Sequence, residues 1–184
     1  MAPKRIGVLG GTFDPVHVAH VVAAVDARHA ARLDTVLFVV ANVPWQKAGT
    51  RAVTPADVRY ELVEAAVAGI DGLEPSHIEI DRGGESYTAD TVDELAAREP
   101  GAELFVIAGI DVAHQLDTWH RVDDLRARAG LLVVTRPGSS VGGAMPDWAG
   151  GVQTVVIPSL EISGTDIRRR VAEGRPIDGL VPPA

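Results

Sequence analysis

The chain has 184 residues, 46% hydrophobic and 23% charged, with a formal net charge of −8 and a pI near 5.2. That length fits one domain, residues 1–184, burying about 70% of its unfolded surface, and the interleaved composition argues against extended disorder. The acidic balance disfavours nucleic-acid polymers as partners, and the absence of cysteine removes disulfides, thiolate zinc sites and cysteine nucleophiles.

In chain order, Ile6 to Leu9 is a short apolar run ending at Gly10-Gly11, too short for a signal-peptide core, and no run approaches a membrane span. A cytoplasmic protein without a membrane partner is expected. Val18, Val21, Val22 and Val25 recur at i, i+3, i+4, i+7 and predict a helix with a valine stripe, followed by a buried strand in "TVLFVVA". "TPADVRYELVEAA" predicts a helix with Thr54 as N-cap and Pro55 in its first turn. "SHIEID" alternates like a strand. A helix from Thr88 to about Arg98, a buried strand in "ELFVIAG", a helix from about Asp111, strands in "LLVVT" and "TVVIP", and a last helix in "SGTDIRRRVAEG" complete the series. Repeated strand and helix predict an α/β fold, a Rossmann-like, mostly parallel sheet with helices on both faces. Ligands of such sheets sit beyond the carboxyl ends of the strands.

"GVLGGTFDPVHVAH" is neither G-x-G-x-x-G nor a P-loop. Its glycines nevertheless allow close approach of backbone to a ligand, and the helix behind them offers free amides to an anion. His17 and His20, about 60° apart on that helix, suit an anion better than a metal, which lacks a third ligand of the right type; polar surface histidines are the alternative. In the last helix Ser163 and Asp166 match a capping box, and Arg168, Arg169 and Arg170 follow. Two of these arginines read as solvated, and one as kept for phosphate.

"GGTFDPVHVAH" and "ISGTDIR" together closely resemble the nucleotidyltransferases with the patterns G-x-F-D-P-x-H-x-G-H and I-S-S-T-x-I-R. Within that superfamily "VPWQK", "SYTADT", "LFVIAGIDVAHQLDTWHRVDDL" and "DGLVP" look like bacterial nicotinate-nucleotide adenylyltransferase, a resemblance running from Gly7 to Pro182. It implies transfer of AMP from ATP to nicotinate mononucleotide, with Mg²⁺ arriving on ATP and no protein-held metal. It also implies that His17, His20, Lys47 and Arg168 are catalytic. ATP would meet Gly10, Gly11, Thr12, Phe13, His17, His20, Gly109, Asp111, Ile162, Ser163, Thr165 and Arg168. Lys47, Tyr87, Thr88 and Trp119 would bind nicotinate mononucleotide, with Trp119 stacking on the ring.

This chain departs from the family pattern at Ala19 for Gly, Gly164 for Ser, Trp45-Gln46 for Pro-His, and in ending at "LVPPA" where relatives commonly continue. The alternatives are another small-acceptor nucleotidyltransferase, such as one acting on phosphopantetheine, a catalytically silent nucleotide-binding module, and a metal-dependent hydrolase using the histidine pair. Self-association is left open.

Overall fold

A computed structural model describes residues 2–44, 52–138 and 147–183. Strands β1 (Arg5–Gly11), β2 (Thr35–Val40), β3 (Leu73–Ser76), β4 (Glu103–Gly109), β5 (Ala129–Thr135) and β6 (Val152–Val156) form one sheet in the order β3-β2-β1-β4-β5-β6. Every pairing is parallel. The helices are α1 (Val18–Ala31), α2 (Ala56–Val67), α3 (Ile78–Arg82), α4 (Thr88–Arg98), α5 (Ile110–Ala113), α6 (Val122–Arg128) and α7 (Gly164–Ala172).

The apolar runs fill two cores because successive side chains leave a strand on opposite faces. Phe105 and Ile107 of β4 join one core with Phe38, Val63 and the alanines of α1. Leu104, Val106 and Ala108 join the other with Val92, Leu95, Leu116, Leu125 and Trp148. A sheet buried on both faces needs such continuous runs, which is why these strands were legible.

Three local expectations are corrected. The buried residues of α1 are Ala23, Ala24, Ala27 and Ala31; of the valine stripe, Val21 and Val22 pack half-buried against the same core, and Val25 is 41% exposed. Alanine lets the helix lie close on a sheet face already filled by Phe13 and Phe38. "SHIEID" is not a strand: β3 ends at Ser76, and His77 starts α3, where its Nδ1 lies 2.8 Å from Asp81 Oδ1 one turn on. A short alternating run does not separate strand from helix, and a side-chain hydrogen bond one turn apart favours the helix. Finally, Pro55 rather than Thr54 occupies the N-cap position of α2.

Ala27→Leu should therefore destabilise the protein by about 1–3 kcal/mol through overpacking, whereas Val25→Ala should stay within about 0.5 kcal/mol. Urea unfolding of the two variants checks this, and the reverse ranking would restore the valine face.

Candidate active site

The strand order reverses between β1 and β4, so the loops leaving their carboxyl ends part and leave a crevice. A cavity of about 470 Å³ opens there, with Gly10, Gly11 and Thr12 on the β1 side and Gly109 on the β4 side. A Cβ at Gly10 or Gly109 would meet no atom within 4 Å, so the missing side chains keep the space clear. A Cβ at Gly11 would instead come within 2.9 Å of the Phe13 ring. Phe13 is buried and holds a left-handed φ of 47°, turning the chain towards α1.

His17 is the N-cap of α1, and His20 lies in its first turn and in the cavity wall. The His20 ring sits between His17, stacked with centroids 3.6 Å apart, and Phe13, edge-on at 5.1 Å. The His17 backbone N–H donates to His20 Nδ1 at 3.1 Å, leaving the proton of the neutral ring on Nε2. His17 itself is only 7% exposed, and its Nδ1 is buried without a hydrogen-bond partner. Burial lowers its pKa from 6.5 to about 4, so it is neutral at pH 7. The two imidazoles are thus unequal: His20 lines the cavity, and His17 packs against it.

The terminal segments close on the same loop. Ser163 caps α7, accepting from the Asp166 N–H at 3.1 Å. The three arginines differ in their partners: Arg169 and Arg170 pair with Asp166, whereas Arg168 donates to the Asp14 carbonyl and, at 3.2 Å, to Thr165 Oγ1. Hydrogen bonding to Arg169 and Arg170 holds the Asp166 carboxyl below its usual range. Gly164 packs so closely that a Cβ would lie 3.0 Å from the Asp14 carbonyl oxygen. The "DGLVP" segment supplies the Leu180 carbonyl to the free N–H of Val18 at 3.0 Å.

Tyr87, Thr88, Trp119 and His120 also line the cavity, with the Tyr87 and His120 ring centroids 4.4 Å apart. Tyr87, not Thr88, is the N-cap residue of α4, without a side-chain capping bond. Asp111 is exposed in α5, and Ile162 lies just before the N-cap of α7; neither these two nor Ser163, Thr165 and Arg168 line the cavity itself. Lys47, with Trp45 and Gln46, lies outside the described residues.

Sequence reading missed three residues. Arg59 is 1% exposed and donates to the carbonyls of Thr54, Thr12, Ala41 and Asn42 at 2.6–3.2 Å, tying the glycine loop to both ends of the segment that carries Lys47. Its signal was present: Arg59 falls on the buried face of α2 with Val63, Ala66 and Val67. Arg121, at φ 54°, binds Asp90, Asp93 and Asp124 at 2.7–2.9 Å and pins the chain just after Trp119 and His120. Glu79 is a buried carboxylate in the cavity wall, and no local pattern marks it.

Backbone amides, imidazoles and a guanidinium suit phosphate oxygens rather than a divalent cation. Among the described residues, no group of three or more His, Cys, Asp or Glu is placed to hold a metal ion, and no helix is long and apolar enough to cross a membrane.

Comparison with known proteins agrees with this geometry. The cytidylyltransferase-like family model matches residues 8–170. A Saccharopolyspora erythraea protein named "Probable nicotinate-nucleotide adenylyltransferase" is 44% identical over 180 residues, covering 97% of this chain and 84% of its own length. The chain belongs to the nicotinate-nucleotide adenylyltransferase family. A Streptomyces coelicolor relative of the same name is 45% identical over 175 residues, covering 95% of this chain and 92% of its own. The fold matches that of Plasmodium falciparum nicotinic acid mononucleotide adenylyltransferase, solved with NaAD, at a TM-score of 0.76 and 15% identity over 95% of this chain and 87% of that one.

The lowered pKa of His17 sets an acid limit for this family member. Because unfolding restores a pKa near 6.5, the unfolded chain binds the extra proton between pH 6.5 and 4. The stabilisation is complete above pH 6.5 and is lost as pH falls towards 4, amounting to about 3 kcal/mol. Urea unfolding at pH 7.0 and 4.5 should show a steeper loss in the unmodified protein than in His17→Gln; equal slopes would contradict the buried neutral imidazole.

Proposed function

We propose that this chain transfers AMP from ATP to nicotinate mononucleotide, giving deamido-NAD and pyrophosphate. One observation carries the reading: His20 lies in the wall of a switch-point cavity that is also lined by the aromatic rings of Tyr87, Trp119 and His120. An electron-poor pyridine ring suits aromatic faces, and a reacting phosphate suits an imidazole N–H donor beside a glycine loop that lets the backbone come close. The names of the curated relatives support the same choice of substrates.

The acceptor phosphate is already ionised at neutral pH, so no general base or covalent nucleophile is required. Catalysis is alignment of that phosphate with the α-phosphorus, together with stabilisation of charge on the phosphoryl oxygens and the leaving pyrophosphate. His20 contacts the reacting phosphate through Nε2. His17, held neutral, braces the His20 ring and supplies its backbone N–H to fix the tautomer. Lys47 and Arg168 balance phosphate charge, and the amides of Gly10, Gly11, Thr12 and Phe13 complete the cradle. Gly109 and Asp111 meet the ATP ribose, and Ile162, Ser163 and Thr165 frame the adenine. Thr88, with Tyr87 and Trp119, receives the pyridine nucleotide. Mg²⁺ enters on the ATP phosphates and neutralises part of their charge. The reading is of a single domain that works in the cytoplasm.

ATP labelled in the α-phosphate should yield labelled deamido-NAD and unlabelled pyrophosphate. His20→Ala should fold but lower kcat by on the order of 10²–10³, the cost of removing one transition-state donor. Label in the pyrophosphate, or near-normal turnover by folded His20→Ala, would refute the assignment.

A further inference from the structure

Among the described residues lining the cavity, Glu79 is the one carboxylate. A site for ATP and a mononucleotide collects phosphates, and a buried acid there repels them, so its presence needs a reason. Packing alone does not supply one. Glu79 is 6% exposed, and its Oε1 accepts from Thr91 Oγ1 at 2.6 Å. The nearby guanidinium of Arg82 is 3.8 Å away but lies closer to Glu94, at 3.1 Å, and donates to Thr91 Oγ1 at 3.1 Å. Arg82 is therefore shared between two carboxylates. The negative charge of Glu79 is left incompletely balanced at the cavity wall.

The position of that wall indicates what completes the balance. Thr91 Oγ1, which holds Glu79, also lies 3.3 Å from the Tyr87 carbonyl, so the carboxylate is braced against the segment carrying Ser86, Tyr87 and Thr88. That segment lines the cavity, with the aromatic side chains of Tyr87, Trp119 and His120. A pyridine ring bonded through nitrogen to ribose carries a permanent positive charge. We infer that Glu79 determines acceptor specificity by placing its carboxylate opposite the positively charged ring of the N-ribosylated pyridine. This rests on the acceptor being nicotinate mononucleotide. Charge then separates such rings from neutral aromatics of the same shape, a distinction that stacking alone makes poorly.

Glu79→Gln isolates the charge, because the amide oxygen can still accept from Thr91. The test measures binding, by titration calorimetry, of nicotinate mononucleotide, whose ring is positively charged, and of its C-nucleotide isostere, in which a benzoate replaces the pyridinium carboxylate so that the carboxylate and phosphate are kept and only the ring's positive charge is lost. The unmodified protein should bind the charged ligand at least about tenfold more tightly. Glu79→Gln should weaken nicotinate mononucleotide on the order of tenfold, consistent with loss of one charge contact in a partly screened site, and leave the isostere within about twofold. Equal weakening of both ligands would assign Glu79 a purely structural role and overturn the inference. So would the absence of any preference in the unmodified protein, a result that does not depend on whether Glu79→Gln folds. Failure of the unmodified protein to adenylylate nicotinate mononucleotide at all would instead strike the functional reading, and the inference with it.

Discussion

The site depends on one constraint, the reversal of strand order between β1 and β4. Chain leaving β1 crosses to one face of the sheet through α1, and chain leaving β4 continues on the other, so neither covers the gap at their carboxyl ends. The glycines at those ends keep the gap free of side chains, and the first turn of α1 opens beside it with His20 in the cavity wall. Binding and catalytic groups need only be hung on loops around a rigid sheet.

Loops alone would not hold such groups within a few tenths of an ångström, and Arg59 meets that need on one side of the crevice. A buried guanidinium is costly unless its donors are used, and here they go to carbonyls of three separated loop segments. Those carbonyls would otherwise be unpaired. Arg121 acts similarly on the other side, but as a partly exposed ion network its contribution to stability is smaller and its service is geometric. The cavity wall is also built by packing: His20 is clasped between His17 and Phe13, and its Nδ1 accepts from a helix-cap amide.

Most of the architecture was legible in the sequence because strands buried on both faces must be continuous apolar runs and because Gly-Gly, Ser163 and Gly174 punctuate the chain. The α1 face was misread since valine outweighs alanine in hydrophobicity, although alanine suits a close helix–sheet contact. "SHIEID" was misread because alternation over six residues fits either element. His20, Tyr87 and Trp119, which their motifs single out, line the cavity, whereas the pairing of Arg169 and Arg170 with Asp166, which leaves Arg168 to the Asp14 carbonyl and Thr165, is visible only in the fold. Arg59 lies on the buried stripe of α2 with Val63, Ala66 and Val67, a placement that its charge alone does not suggest. Glu79 depends on a tertiary partner, Thr91, twelve residues on, and no local rule exposes such a pair.

The most direct test of the central claim is the initial rate of pyrophosphate release from Mg-ATP with nicotinate mononucleotide, nicotinamide mononucleotide or phosphopantetheine as the only acceptor. Fast release with nicotinate mononucleotide, and rates lower by at least about tenfold with the other two, is the expected result, because a site built to pair a polar group rejects an analogue lacking it. Release fastest with phosphopantetheine, or with none of the three, would contradict it.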